Sequence, residues 1–567
     1  MERKYMKYLN KGVMGAAIIA GCSACTDTVD DHYGVNGGVA KNTLWEQIAA
    51  QENLSDFAQV LEKVHYYSNE NKSTGMTYKE LLQKNTKMTV WAPVNGSFDL
   101  QQVLADIERN EYSVDNRFVR NHINTFSRII TGAEQDSITM LNSKMNVLDN
   151  QTATFKGINV IQKNIPATNG TLHIIETEVP FLNNMYEMLQ TNTSLTSLYN
   201  FFHDRDTTFI DENASVQGGI VNGEVTWADT VLVTESKAFQ GVYSYRGKQW
   251  NGIAANLKNE DSTWVMVLPT DAGWQKAVEK TKPYYTYMSF PYVNKDDKNQ
   301  QPKAVDPDTL QKYGVELAIV NRLVFSPNRQ KDYNLEDFGQ TDSLFTTNGA
   351  VIKAPYCNDI FQGITPLKVS NGLAYITDDY RYNVSEDLET EGESYFALYP
   401  DGMNTSTKVG TSKLTSANRN PNVSGSISEN TYAYTIPLAP RTPTNIAFKL
   451  QGVLSAKYDV YAVIVPENIQ DTLKTALPLK FKAGITYYNG KDALEVTQQT
   501  DNIICSQEPK VDTVPLFENF QFPVAYAGVE HAYPILTLTV TANGREINKK
   551  YTNSIYVDKI ILKTKEE

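Results

Sequence analysis

The stretch 164–176, reading NIPATNGTLHIIE, restricts the fold of this chain more than any other. Asn169-Gly170 signals a turn, because both residue types tolerate positive φ. The run behind it alternates as a strand, with Leu172 and Ile174 on one face and Thr171, His173 and Ile175 on the other. A second copy stands at 368–378, KVSNGLAYITD, with Asn371-Gly372 ahead of an apolar strand and Tyr375 at the position of His173. Two copies of one turn-plus-strand far apart in sequence predict a duplicated domain.

A second pair of stretches agrees. TVWAPVNGSF at 89–98 and VMVLPTDAGW at 265–274 are apolar strands closed by Pro93 and Pro269, each with an aromatic residue five positions later. Proline cannot donate to a sheet ladder and so ends the strand. From proline to Asn-Gly the first copy runs 76 residues and the second 102, so the second is expected to carry a surface insertion of 26 residues. These boxes resemble the fasciclin domain. The first copy keeps Thr89, Ala92, Pro93, Asn95 and Phe98 of the family's opening box, has Asn121-His122 in place of its Tyr-His, and keeps Asn169, Gly170 and His173 in the closing box. The second keeps Pro269, Asn371 and Gly372 but has Asn321-Arg322 and Tyr375 where the histidines are expected. The resemblance covers roughly residues 40 to 382. It implies two α+β domains, 41–182 and 183–382, the second degenerate, and an adhesive or binding habit. It implies a place for His122 in an adhesive motif; the alternative, which we favour, is a core histidine bonded to backbone. The remaining motif residues are expected to be structural.

The N-terminus has a different character. Arg3, Lys4, Lys7 and Lys11 precede an apolar run from Gly12 to Gly21, too short to span a bilayer as a stable helix. It ends IAGC, which resembles the lipobox of bacterial lipoproteins. Residues 1–21 are therefore expected to be a lipoprotein signal peptide, Cys22 the lipidated (palmitate-bearing) residue, and 22–40 a tether. Asp27, Asp30 and Asp31 resemble a surface-export signal, and a solvated tether is the plain alternative. Lipidation of Cys22 removes one thiol of Cys22-Ser-Ala-Cys25, which argues against a redox or zinc role for that C-x-x-C. Cys357 and Cys505 are expected to be buried thiols.

Between the boxes, 44–67 is predicted as one helix capped by Asn53, with further short helices at 78–83 and 118–126. Met185, Leu189, Leu195, Leu198 and Phe202 recur at helical spacing. Residues 216–232 read as β, and the charged run 294–302 as the solvated tip of the insertion. Beyond Tyr382 helical periodicity ends. Strands are predicted at 432–436, 446–450, 458–465, 536–540 and 555–562, with 404–428 as a polar turn region. That is a β-sandwich pattern for 383–567, and the closing run resembles the last strand of galactose-binding-like jelly rolls. The expected fold is thus multidomain, two α+β domains followed by an all-β sandwich.

The chain of 567 residues has a net charge of −13, which opposes nucleic acid as a partner. It contains no H-E-x-x-H, P-loop, G-x-S-x-G or EF-hand pattern, and its six histidines lack metal-ligand spacing. No cofactor, no metal and no catalytic residue is expected. The expectation is a non-catalytic, outer-membrane, cell-surface lipoprotein. It would bind an extracellular glycan or peptide, or serve a Sus-type, TonB-dependent importer as accessory subunit. An adhesin for host or matrix components is one alternative. A hydrolase with a carboxylate pair distant in sequence is the other. Tyr395, Tyr399, Tyr432 and Tyr434 cluster and are the candidate ligand-binding residues, with ordinary strand residues as the alternative reading.

Overall fold

The computed structural model describes residues 40–564 apart from 70–71, 133, 214, 222–223, 246–247, 297–305, 328–342, 350, 354–355, 382–389 and 394–406. The signal peptide, Cys22, Cys25, the acidic run and all but the last residue of the tether lie outside the described residues, as do Tyr395 and Tyr399. The chain falls into two compact units, Met1–Phe181 and Leu182–Glu567.

The first unit opens with helices α1 (Leu44–Ala49) and α2 (Ser55–Lys63), then hairpin β1 (His65–Asn69) and β2 (Lys72–Thr77), and a single turn α3 (Tyr78–Leu81). The single helix expected over 44–67 is therefore two helices and a strand. Its start is set by Thr43, not Asn53: Thr43 and Glu46 form a reciprocal capping box, two orphan donors satisfied by one T-x-x-E. Next come β3 (Met88–Pro93), α4 (Leu100–Val114) and β4 (Ile123–Thr125), then β5 (Asp136–Thr139), β6 (Met145–Asp149), β7 (Thr154–Phe155), β8 (Ile158–Ala167) and β9 (Gly170–Ile175). The helix expected over 118–126 is one π turn, one 3-10 turn and β4. One seven-stranded sheet has the order β4-β3-β9-β8-β7-β6-β5. Its centre is the parallel pair β3/β9, Met88 opposite Gly170 through Pro93 opposite Ile175. Every residue of both strands is buried, as expected of parallel strands covered on both faces. Val90, Ala92, Leu172 and Ile174 pack with Leu44, Phe57 and Leu61 of the helices. Trp91 and Ile175, on the opposite face, pack with Ile138, Leu148 and Phe155.

The second unit starts with α5 (Met185–Thr191) and α6 (Thr196–His203). Six strands follow where the first unit has only β1 and β2: β10 (Asp206–Ile210), β11 (Val216–Val221), β12 (Glu224–Asp229), β13 (Leu232–Ser236), β14 (Val242–Tyr245) and β15 (Lys248–Asn251). This enlargement lies ahead of Pro269, outside the interval to which the proline-to-Asn-Gly spacing assigned the extra length. β10 pairs with β13 and β11 with β12. Asp211 N donates to Val231 O at 2.8 Å and Val231 N to Ser215 Oγ at 2.8 Å, which joins the two pairs into one ribbon.

Beyond it are β16 (Trp264–Pro269), α7 (Asp271–Thr281), α8 (Pro307–Val320), β17 (Val324–Phe325), β18 (Ser343–Phe345), β19 (Val351–Lys353), α9 (Tyr356–Asp359), β20 (Leu367–Val369) and β21 (Gly372–Thr377). Their sheet has the order β17-β16-β21-β20 with β16 and β21 parallel, the same arrangement as β4-β3-β9-β8. Trp264 opposes Gly372 and Pro269 opposes Thr377, so both copies also share the register of proline and Asn-Gly.

The remaining strands are β22 (Thr390–Glu393), β23 (Thr407–Lys413), β24 (Thr431–Pro437), β25 (Asn445–Lys449), β26 (Lys457–Ile464), β27 (Leu479–Tyr488), β28 (Glu495–Gln499), β29 (Ile503–Cys505), β30 (Asp512–Gln521), β31 (Ile535–Val540) and β32 (Tyr556–Thr564). The polar region 404–428 thus contains a strand, β23, whose alternation is hidden by Gly410 and by threonines that suit either strand or turn. One sheet runs β23-β24-β32-β26-β30 with β22 added to β32, and the other β25-β31-β27-β28 with β29 added to β27. All their pairings are antiparallel. Ala433, Val460, Val557 and Ile560 of the first sheet share a core with Ile446, Phe448, Phe481 and Leu538 of the second. That core is continuous with the one beneath β16 and β21. The architecture is multidomain, α+β at the N-terminus and all-β at the C-terminus.

Candidate functional site

The Asn-Gly pairs do something other than supply positive φ at both positions. Asn169 is not among the positive-φ residues; its side chain is a junction. Oδ1 accepts from Leu44 N at 2.8 Å, and Nδ2 donates to Leu82 O at 2.8 Å and Lys84 O at 2.7 Å. Asn371 repeats this, accepting from Met185 N at 2.8 Å and donating to Leu257 O and Asn259 O at 3.0 Å each. The glycine that follows has φ 153° in one copy and 145° in the other, and a Cβ there would lie 1.8 Å from Met88 O or 1.7 Å from Trp264 O. A second junction is shared too. Asn95 Oδ1 accepts from Asp56 N at 3.0 Å, and Asp271 Oδ1 from Ser197 N at 2.7 Å. The first fastens the start of α2 to the loop after β3, and the second the start of α6 to the first residue of α7.

The histidines of the first unit are held in the core. His122 Nδ1 donates to Phe118 O at 2.8 Å, and Nε2 accepts from Val179 N at 2.8 Å. Both ring nitrogens are occupied and the residue is fully buried. Burial pushes its pKa down to about 4 against the raising effect of the bond to Phe118. His173 stacks on Trp91 with centroids 4.4 Å apart, and Trp91 stacks on Phe155 at 4.0 Å. Its Nε2 donates to Arg128 O at 3.1 Å and Nδ1 accepts from Asn164 N at 3.3 Å; burial lowers it too to about 4. Thr89 Oγ1 donates to Phe126 O and accepts from Arg128 N, both at 2.8 Å. Phe98 lies in the helix-side core against Phe118, centroids 4.9 Å apart. These residues leave no ring nitrogen or hydroxyl facing a ligand. Beside the pinned segment lies an open cleft of about 390 Å³ bordered by Arg128, Thr131, Glu134, Asp136 and Asn150. Its polar groups largely bind one another: Arg128 reaches Asp136 at 3.5 Å, and Asn150 Nδ2 donates to Glu134 O at 2.8 Å.

The tyrosines of the sandwich divide by burial. Tyr432 is 2% exposed, under a local core of Leu414, Val423, Ile427, Val465 and Ile469. It cannot present a face to a ligand, and that corrects its candidacy. Tyr434 is half-buried on the same side of the sheet, since residues two apart on a strand share a face. Across the ladder it opposes Tyr556, also half-buried, with centroids 5.6 Å apart and planes 20° apart. Gly410 sits beneath the Tyr434 ring, where a Cβ would lie 2.8 Å from Cζ. Tyr434 and Tyr556 make a stacked aromatic step that packs against that local core and is floored by Gly410; Ser412, opposite Tyr432 across the ladder, accepts at Oγ from Gln470 Nε2 at 3.0 Å. Sequence reasoning missed Tyr556 because its neighbour across the ladder lies 122 residues away.

Of the charged run 294–302, residues 297–302 lie outside the described residues, and 294–296 are bound into a network and not solvated. Asp296 accepts from Lys449 Nζ at 2.7 Å, Tyr533 OH at 2.7 Å and His531 Nδ1 at 2.9 Å. Partial burial works to raise this carboxyl, and those three bonds outweigh it and hold it well below the usual carboxylate range. Lys295 is buried, donates its backbone N to His531 O at 2.9 Å and pairs with Glu495. Cys357 and Cys505 are buried and form no disulfide. Among the described residues no group of three or more His, Cys, Asp or Glu could hold a metal ion, and no helix is long and apolar enough to cross a membrane.

No curated protein sequence matches the chain. Several solved structures are similar at low identity, three of them as follows. A FAS1 domain pair from the insect cell adhesion molecule fasciclin I is 12% identical, covering 53% of this chain and 90% of that one, with a TM-score of 0.19. The CBM22-2 xylan-binding domain of a Paenibacillus barcinonensis xylanase is 8% identical, covering 31% and 99%, TM-score 0.20. The CBM22-1–GH10 modules of a Clostridium thermocellum xylanase are 11% identical, covering 31% and 28%, TM-score 0.19. TM-scores this low carry nothing about ligand or role. The family model that does match fits the geometry above, with the proline-ended strand, both buried histidines and the Asn169 junction inside its span: residues 52–178 are a fasciclin domain.

Proposed function

We propose that this chain is a non-catalytic binding protein of a bacterial outer surface, held there by a lipid on Cys22, and that its ligand is an extracellular polymer, a glycan before a peptide. The observation that carries the ligand is the Tyr434–Tyr556 step: two nearly parallel, half-buried rings on a sheet face. Such rings offer flat apolar faces with polar tips at small entropic cost, which suits an extended, uncharged chain. The fasciclin domain supports a binding or adhesion role. We read 183–382 as a second, degenerate fasciclin-like domain, on the strength of the shared strand order and the repeated Asn371 and Asp271 junctions. Membership of a Sus-type importer is the setting this reading favours; adhesion to matrix is the second reading, supported by the fasciclin domain itself.

The test is a glycan and peptide array with the anchorless chain. Tyr434→Ala and Tyr556→Ala should each weaken the bound glycan about 10- to 100-fold, the range of an aromatic anchor, in protein that melting shows to be folded. Binding unaffected by either change removes the step as the site, and turnover of an array ligand removes the non-catalytic reading. Recovery of a transporter from solubilised outer membranes separates importer from adhesin. Fatty-acid labelling of Cys22→Ala checks the anchor, because label persisting there excludes Cys22.

A further inference from the structure

The segment that follows β4 in the first unit belongs to no strand, and the side chains of other elements hold its backbone. Phe126 N donates to Lys87 O at 3.0 Å, and Phe126 O accepts from Thr89 Oγ1 at 2.8 Å. Arg128 N and O are taken by Thr89 and His173, and Ile130 N and O both by Asn164, at 2.8 and 2.9 Å. This frame displays an anomaly. Phe126 has φ 68°, in the left-handed region that a bulky side chain rarely occupies. It is also 69% exposed, more than any other large apolar residue described in the first unit. A phenylalanine held in water by a strained backbone contributes nothing to the fold alone. Strain of this kind persists where the surroundings over-determine it, and it gathers at ligand sites.

Ser127, the next residue, is the first to line the cleft of about 390 Å³, a volume in the range of small-ligand sites. Arg128 reaches Asp136 only at 3.5 Å, and the Glu134 carboxylate makes no bond among the described residues. The cleft therefore offers guanidinium donors and carboxylate acceptors side by side, one cation against two anions. Hydroxyl groups, which donate and accept in turn, satisfy both kinds, whereas a polyanion would meet a net negative charge. The exposed ring beside them supplies the flat apolar surface on which the C–H face of a sugar can rest. We propose that Phe126 and the cleft that begins at Ser127 form a site for a neutral sugar chain on the first unit, separate from the Tyr434–Tyr556 step. This site rests on the reading of the ligand as a glycan.

The probes are cellohexaose, xylohexaose and mannohexaose, titrated onto the anchorless chain with amide exchange followed peptide by peptide. At least one should slow exchange within 126–136. Phe126→Gly removes the ring and relieves the backbone, because glycine adopts positive φ freely. This variant should melt at or above the parent, while the concentration needed to protect 126–136 rises at least about tenfold. Glu134→Gln keeps the shape of the side chain and loses its charge, and it should weaken the same protection. Unchanged protection in Phe126→Gly, with a lowered melting temperature, makes the ring a packing residue and overturns the proposal. Protection at 432–436 and 554–558 with none at 126–136 overturns this site and leaves the glycan reading standing. Binding of none of the three sugars, or protection of 126–136 by a peptide of the array in their place, overturns both.

Discussion

Replacing Asn169 by alanine removes three hydrogen bonds at once from a site that is 2% exposed. The Leu44 amide loses its acceptor at the start of α1, and a buried unsatisfied donor costs about 1–3 kcal/mol. Leu82 O and Lys84 O each lose a donor, worth about 0.5–1.5 kcal/mol net, and Leu82 O keeps only a long bond from Trp45 N at 3.4 Å. Together the loss should be about 3–4 kcal/mol, a large share of the roughly 5–15 kcal/mol that holds a domain. It should lower the melting temperature of the first unit by about 10 °C. Urea unfolding followed by peptide-resolved hydrogen exchange would locate the loss, which should fall within 40–181. Asn371→Ala should produce the same loss within the second unit. Asn169→Asp sharpens the test. It keeps the acceptor for Leu44 but sets a carboxylate against two carbonyl oxygens. Its cost should exceed that of alanine near neutral pH and shrink as acidification restores a donor. A loss below about 1 kcal/mol for Asn169→Ala would show that α1 is held by packing alone and that the asparagine is only a turn residue.

Two further outcomes follow from the electrostatics. His122 and His173 titrate near 4 in the folded chain against about 6.5 unfolded, so between those values the unfolded state binds more protons. The stability of the first unit should be full above pH 6.5 and fall by up to about 3 kcal/mol per histidine as pH drops toward 4. His173→Gln should flatten part of the urea-midpoint profile, and a flat parent profile would refute the assignment. Asp296→Ala should cost about 1 kcal/mol, allowing for screening at a half-exposed site. It should also raise amide exchange at 294–296 and 531–533; unchanged exchange there would mean that the network fixes nothing.

Strands β3 and β9 were legible because Pro93 ends the one and Asn169-Gly170 opens the other; their parallel pairing, set by contacts 82 residues apart, was not. The role of Asn169 was not, since the asparagine that permits a turn is spelled like the asparagine whose amide ties three segments together. The break at Gln51 in the expected long helix was hidden because apolar spacing continues from α1 into α2. The β character of 216–232 was read correctly, yet that these strands are additional to the first unit's emerged only from the strand order. Tyr434 was picked for clustering with Tyr432, which is buried; its true neighbour, Tyr556, is set by register across β24 and β32. Partners of Asp296 lie 153 to 237 residues away, beyond any local pattern.

The junctions at the two asparagines also fix how each α+β sheet meets tension. In the first unit the incoming chain is tied beside the start of β9, through Asn42 O with Thr168 N and Leu44 N with Asn169 Oδ1, while the outgoing chain leaves from the far end of that strand. The second unit repeats the arrangement with Asn183, Ser370 and Asn371. A pull on both ends of such a sheet runs along the axis of its central strand. The bonds that clip the incoming chain to that strand, from Thr168 N and Leu44 N in one copy and Ser370 N and Met185 N in the other, take the pull first, ahead of the six residue pairs with β3 or β16. If the chain is held at one end and gripped at the other, as proposed above, that geometry lets the clip yield before the ladder of the sheet is loaded.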